Sequence, residues 1–340
     1  MNVDSSDSSS VLAAGDGAPA ARDASTSALE RRQYEDHWLK TFLEDIGVRV
    51  TLTEERLWHS DGLRMFLPLP CKEAFSIPRS ERWRLWKSGA LFLRYPCADD
   101  APAYPSHIYL VDDKNYDLHS LLGNQRKETR RALRKCTVEQ IPIEDLFQEG
   151  FDLIRDTYDR QGRICDEAAI RGWEIYFRAA ARNPIFEAWA AFVGRELAAY
   201  RVDFTFHGGF YGEALFNRRD LLKYQVMNAL MFVSTKAAIS RDEIDHVSYG
   251  MRGLTGESEA LNRYKESMGY RKVLVPERIE VMPLLKPFFD VGLVHIIHAI
   301  AKRRYEQSAK AKRVCGMIHT YLHHRRNCLD GIQHQAASSS

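Results

Sequence analysis

Residues 186–206, FEAWAAFVGRELAAYRVDFTF, open the stretch on which the fold turns. Phe186–Val193 is aromatic and aliphatic, Gly194-Arg195-Glu196 turns it, and Val202, Phe204 and Phe206 alternate with Arg201, Asp203 and Thr205. This pattern predicts a β-hairpin. His207-Gly208-Gly209 breaks the chain before a third strand, Phe210–Phe216. Asn217-Arg218-Arg219-Asp220 then leads into Leu221–Ser240, where Leu222, Val226, Leu230, Val233 and Ala237 keep helical spacing and Met227, Met231, Phe232 and Ile239 fill the other faces. A helix this apolar is buried. Val247, Tyr249 and Met251 alternate again, Gly250, Gly253 and Gly256 open a loop, Glu257–Met268 forms a helix, and Arg271–Val281 closes the run as a strand. The order is β-β-β-α-β-α-β.

Within it, Leu261–Tyr270 reads LNRYKESMGY. This segment resembles the one near the end of GNAT-type acyltransferases, in the aromatic-Lys-x-x-x-Gly-aromatic form found in Fem-type proteins. Those are double-GNAT relatives that transfer amino acids in peptidoglycan bridge formation. Upstream, Lys127–Lys135 (KETRRALRK) resembles the basic helix that opens the second GNAT half of the same group. The resemblance spans Gly123–Val281 and implies an α+β fold. Two GNAT-like halves would share a mixed, mostly antiparallel sheet, with a helical extension at the carboxyl end. The corresponding division is a tail over 1–29, an amino-terminal half over 30–122, an acyltransferase half over 123–285, a basic helical extension over 286–330 and a second tail over 331–340.

One departure bears on the donor. GNAT acetyltransferases carry an Arg/Gln-x-x-Gly-x-Gly/Ala loop before the long helix, because glycines let backbone N–H groups close on the coenzyme A pyrophosphate at a helix N-terminus. Here the corresponding residues, Asn217–Tyr224, contain no glycine. Arg218, Arg219 and Lys223 are the candidates to neutralise those phosphates by side chain, assisted by the helix dipole. The alternative reading is a solvated strand-to-helix edge with Asp220 as N-cap.

The preceding sequence echoes the same order of elements. Tyr34, Trp38, Phe42 and Ile46 form a helix stripe that Gly47 stops. Arg56–Ser60 and Leu63–Leu69 flank Asp61-Gly62, a dipeptide of two-residue hairpin turns. Ala90–Tyr95 and His107–Val111 supply two further strands. Gly123–Cys136, Ile143–Arg160 and Ile170–Ala181 read as helices.

The chain has 340 residues, 45% of them hydrophobic and 28% charged, which suits two soluble domains with full cores. Its 48 basic and 46 acidic residues leave +2, so overall charge gives no general argument for nucleic acid. Six cysteines without CxxC spacing indicate neither a zinc site nor a disulfide framework, and reduced thiols in a cytoplasm are expected. Met1–Ser27 reads as a disordered tail rather than a signal peptide. His319, His323 and His324 lack a carboxylate or cysteine to complete a metal set, and Phe288–Ala301 is too short and polar to span a bilayer.

Aminolysis of a thioester or ester needs a held amine, an acceptor for its proton, an oxyanion donor and an acid for the leaving group. Glu213, alternating with Tyr211 and Leu215, is the candidate base; the bland reading is an exposed strand glutamate. Tyr264 stands where many GNAT enzymes carry a tyrosine that protonates the leaving thiolate; core packing is the alternative. By resemblance Lys265 binds a phosphate or positions the acyl group, and Lys127, Arg130, Arg131 and Arg134 line the acceptor groove unless they form a solvated basic face.

The expected activity is N-acyl transfer from acetyl-CoA or another acyl-CoA, without a metal, to a small-molecule or cell-envelope precursor acceptor. Fem-type transfer from aminoacyl-tRNA and a non-catalytic GNAT-like scaffold are the alternatives. At the carboxyl end Leu293, Ile297 and Ile300, then Val314, Ile318 and Tyr321, predict two amphipathic helices. The first is expected to dock on the enzyme. Lys302, Arg303, Arg304, Lys310, Lys312, Arg313, Arg325 and Arg326 lie between and beside these stripes. The second helix would thus present a basic face to a tRNA or to the anionic inner membrane surface of a cytoplasmic, peripheral protein; the alternative is a solubilising helix that caps the domain.

Overall fold

The computed structural model describes residues 28–98, 103–251, 253–254, 259–290, 293–304 and 311–322. The expected tails, and Gly256, Lys310, His323, His324, Arg325 and Arg326, lie outside them. The amino-terminal elements are α1 (Ala28–Asp45), β1 (Val50–Leu52), β2 (Leu57–Ser60), β3 (Met65–Leu69), α2 (Arg79–Lys87), β4 (Phe92–Pro96) and β5 (Tyr104–Val111). There follow α3 (Gly123–Ala132), β6 (Thr137–Ile141), α4 (Glu149–Arg160), α5 (Glu167–Ala181), β7 (Phe186–Val193), β8 (Glu196–Phe206) and β9 (Gly209–Asn217). The chain continues through α6 (Val226–Ile239), β10 (His246–Met251), α7 (Glu259–Ser267), β11 (Arg271–Val281), α8 (Lys286–Asp290) and α9 (Leu293–Arg303), and α10 covers 311–322.

All eleven strands join one sheet in the order β1-β2-β3-β4-β11-β5-β10-β9-β8-β7-β6. Two pairs are parallel, β3 with β4 and β9 with β10, and each is the pair that a crossover helix connects, α2 in the first case and α6 in the second. The remaining neighbours are antiparallel. β5 follows β4 in the chain yet does not lie beside it, because β11 sits between them; β5 in turn separates β11 from β10. Each half thus lends its last strand to the other, and the order of elements repeats about the β5/β11 ladder.

Both faces of the sheet are covered, as a strand with apolar residues on two faces requires. In the carboxyl-terminal half Tyr200, Val202, Phe204 and Phe206 pack with α1, α4 and α5, while Ala198, Ala199, Trp189 and Val226 pack with α3 and α6. Val202, Phe204 and Phe206 thus lie on one face, and Val226, Leu230, Val247 and Tyr249 on the other. In the amino-terminal half Trp58, Phe66, Leu93 and Tyr95 meet Leu85 and Trp86 of α2. Met65, Phe92 and Ile279 meet Phe289, Val294, Met317, Ile318 and Tyr321 of the carboxyl-terminal helices.

Several boundaries differ from expectation. The Leu221–Ser240 segment divides into a 3₁₀ turn at Leu222–Tyr224 and α6, with Gln225 at φ 57° between them. The Asp61-Gly62 turn extends through Leu63 and Arg64, which have φ of 50° and 53°. The helix expected over Gly123–Cys136 ends at Ala132, where β6 begins five residues on. At the carboxyl end α9 docks as expected, through Val294 and Ile297, though Ile300 faces solvent, and α10 docks too, burying Ile318 and Tyr321. A Cβ on Gly316 would lie 1.6 Å from the Leu254 carbonyl oxygen, so this glycine lets α10 sit against the loop that follows β10.

A buried ion pair joins β11 to β4. Arg94 on β4 donates from Nε and Nη2 to the two carboxylate oxygens of Glu277 on β11, at 3.0 and 2.9 Å, with side chains 3% and 0% exposed. Arg94→Met, which takes the bidentate guanidinium from Glu277, is expected to cost about 3–5 kcal/mol in urea denaturation, while Arg94→Met/Glu277→Leu recovers most of it. A single variant with the parental midpoint would show that the pair does not hold the strands.

Candidate active site

The site begins where β9 and β10 part. They pair only from Gly209↔His246 to Tyr211↔Ser248, and beyond this both strands are irregular. On β9, Gly212 faces Asp203 and Ala214 faces Val202 of β8, so Glu213 is the extra residue of a bulge. On β10, Ser248 and Met251 face Leu110 and Ile108 of β5, which leaves one surplus residue near Gly250, whose φ is 80°. Two parallel strands bulged away from each other leave a slit through the sheet, with unladdered backbone on both sides.

A cavity opens on each side of the slit. On the α1 side, a cleft of about 400 Å³ is lined by Leu39, Phe42 and Phe204, by His59 and Asp61 of the β2–β3 hairpin, and by Glu213, with Arg94 and Arg313 on its walls. On the α6 side, a narrow cavity of about 110 Å³ is lined by Arg201, Met231, Ser248, Tyr249 and the same Gly212 and Glu213. Glu213 therefore stands at the junction. Solvent reaches its side chain through the cleft, but protein surrounds the cleft, and the lost hydration together with the Asp61 charge pushes its carboxyl up to about 7. Arg313 Nη1 donates to Asp61 Oδ1 at 3.1 Å at the rim. Burial holds the His59 imidazole below its usual range, against the pull of Asp61.

Behind the narrow cavity lies a buried polar cluster. Arg201 donates to Asp203 Oδ1 through Nε at 2.8 Å and through Nη2, and Nη1 reaches Ser234 Oγ at 3.1 Å. Burial pushes the Asp203 carboxyl up and the adjacent guanidinium opposes it. A Cβ on Gly212 would come within 3.0 Å of Arg201 Nη2, so any larger residue there would have to displace the guanidinium. Tyr270 shares a 2.8 Å hydrogen bond with Thr235 of α6.

The predicted site residues separate into two groups. Glu213 lines both cavities; Tyr264 and Lys265 line neither, and Lys265 meets the narrow one only through Tyr249, which does. Lys265 Nζ lies 4.5 Å from the Tyr249 ring centroid and 4.8 Å from that of Tyr109, and the residue is 2% exposed. Two aromatic faces hold the ammonium in the interior. The Tyr264 hydroxyl is buried without a hydrogen-bond partner among the described residues, and desolvation with the neighbouring Tyr249 and Tyr270 pushes its pKa well above the ordinary phenol value.

The second group lies elsewhere. Arg218 pairs with Asp220 and Glu196, and Arg219 with Asp156 and Asp159 of α4. Their surroundings, with Glu149 and Asp152 added, are too rich in carboxylates to attract a pyrophosphate. Lys223 is exposed, with its ammonium 5.2 Å from the Tyr224 ring centroid. Lys127, Arg130, Arg131 and Arg134 are not buried and do not line either cavity. Sequence reasoning missed Arg201, Asp203 and Asp61. The charged residues that alternate with Val202 and Phe204 read as a solvent face, because a second helix layer over that face leaves no mark on β8 itself.

No helix of the described residues is long and apolar enough to cross a membrane, and none of their His, Cys, Asp and Glu side chains cluster to hold a metal ion. No family model matches the sequence, and no curated protein aligns with it. Among solved structures, FemX superposes with a TM-score of 0.54 at 9% identity, over 77% of this chain and 98% of that one. The C-terminal domain of a putative lysylphosphatidylglycerol synthetase from Agrobacterium fabrum gives 0.51 at 12% identity, over 74% of this chain and 92% of that one. The chain shares its fold with these two structures.

Proposed function

We propose that this protein is a GNAT-type N-acyltransferase whose donor and acceptor approach from opposite faces of the sheet and react at the β9/β10 slit. The observation that carries the reading is the meeting of the two cavities at Glu213, whose carboxyl is held at about 7. The narrow cavity admits an extended acyl arm. The wider cleft, with Asp61 and Glu213 on its wall, takes a cationic amine of a small molecule, a sugar or a cell-envelope precursor. Glu213 accepts the ammonium proton, the freed nitrogen lone pair attacks the acyl carbon, and the backbone N–H groups left unladdered by the bulge are the available oxyanion donors. Collapse of the intermediate forms the amide, breaks the bond to the leaving sulfur or oxygen, and draws a proton from Tyr264.

Two donors satisfy this scheme. An acyl-CoA thioester is the first. The second, an aminoacyl ester of tRNA, is favoured by Tyr264, since a phenol whose pKa is raised releases its proton to an alkoxide far more readily than to a thiolate. Titration with acyl-labelled acetyl-coenzyme A and with tRNA charged with labelled amino acid, each read by thermal shift and by label transfer to an amine mixture, separates them. Transfer from neither donor, with the chain folded, would leave only a GNAT-like scaffold.

Because Glu213 works as the carboxylate, kcat/KM is expected to rise with pH through about 7. Glu213→Gln should lower kcat by about 10²–10⁴-fold and abolish that limb of the profile. The folded-state pKa is raised, so ionising Glu213 opposes folding above its unfolded value; the Gln variant should unfold no lower than the parent at pH 8. A profile that keeps its limb in the variant assigns the proton to another group.

Lys265→Ala leaves a cavity and removes the ammonium from between two rings, and it is expected to destabilise the fold by about 2–4 kcal/mol. Activity of this variant therefore has to be measured well below its midpoint. Stability within about 0.5 kcal/mol of the parent would contradict the buried placement.

A further inference from the structure

We infer that the outward face of α8 and α9 is a docking surface for an anionic lipid bilayer. The segment has two chemically distinct sides. Phe289, Val294 and Ala301 turn inward, with Phe289 against Phe92 and Tyr321 at centroid distances of 5.8 and 5.5 Å. The opposite side leaves large apolar side chains in water: Leu284 is 74% exposed, Phe288 55%, Ile296 58% and Ile300 56%. Ile296 and Ile300 are one helical turn apart and share a face. Single exposed apolar residues need no explanation, but four within seventeen residues of chain, backed by a filled core, do.

The charge around them selects the occupant. Lys286, Lys302, Arg303 and Arg304 are exposed, and the sequence between 283 and 304 contains one acid, Asp290. Apolar residues flanked by a cationic rim fit a headgroup layer, where the rings and aliphatic chains enter the acyl boundary and each cation near the surface strengthens binding about fivefold. A nucleic acid would be met by the cations but gains nothing from Leu284, Phe288, Ile296 and Ile300. The surface is mechanically continuous with the cleft, since α10 packs in the same cluster as Phe289 and Val294 and supplies Arg313 to the cleft wall. Docking would thus set the acceptor cleft beside the membrane, although the inference does not depend on the transfer reaction.

The test is cosedimentation of the full chain with vesicles of phosphatidylcholine alone and of phosphatidylcholine with phosphatidylglycerol, at low and high salt. The anionic vesicles are expected to retain the protein at low salt and release most of it at high salt, and the neutral ones to retain little. Ile296→Asp/Ile300→Asp should weaken retention at least about tenfold, and Lys302→Ala/Arg303→Ala/Arg304→Ala about a hundredfold, with unchanged circular dichroism and thermal midpoint. Absence of retention on anionic vesicles, or retention that the apolar variant keeps, overturns the inference. So does a concentration-dependent dimer that the apolar variant dissolves, or binding to unacylated tRNA that only the cationic variant loses while vesicles are ignored.

Discussion

Everything about this molecule's site follows from two parallel strands that pair for three residues and then part. A parallel ladder normally continues until one strand ends, because each unpaired backbone group must find another partner or meet solvent. Here the partner is lost at Tyr211 and Ser248, while both strands run on. The divergence is fixed from outside: β8 holds β9 through a bulge at Glu213, and β5 holds β10 through a bulge near Gly250. Neither strand can swing back without breaking a ladder on its far side. The slit is therefore a rigid feature of the sheet, and the polar backbone it exposes is available to a substrate.

The exchange of β5 and β11 is what makes that clamp strong. β5 pairs with β10 on one side and with β11 over seven registered positions on the other, so the strand that steadies β10 is anchored in the opposite half. The Arg94–Glu277 pair continues this attachment into β4, and Tyr95 donates to Glu280 at 2.5 Å on the opposite face of the same strand pair. A pair of linked domains tethered only by a loop would leave the cleft between them free to open and close. With interleaved strands the cleft walls from β3, β4, β9 and β10 belong to one hydrogen-bonded sheet.

Buried charges cluster along this spine in a way the physics of desolvation requires. Arg201 has Asp203, Arg94 has Glu277, and Lys265 has the faces of two tyrosines, so each cation taken from water receives a compensating partner. Among the described residues Glu213 has no cationic partner; it stands open to the cleft beside the like-charged Asp61, and its carboxyl, like that of Asp203, is pushed up.

The sequence by itself determined the order of elements from Phe186 to Val281, because period-two alternation and helical spacing are local properties that survive in a linear string. It singled out Glu213, which lines both cavities, and Lys265, whose ammonium the fold packs on the Tyr249 ring. Only the tertiary structure decided which charges matter. Arg218 and Arg219 look like phosphate ligands until α4 brings Asp156 and Asp159 against them, and Arg201 and Asp203 look like solvent-facing residues until α6 covers them. The strand exchange was equally invisible, since nothing in β5 or β11 states which neighbour it will take. Alternation tells a strand that it has two faces; the long-range competition for ladder partners and for burial decides what lies on each.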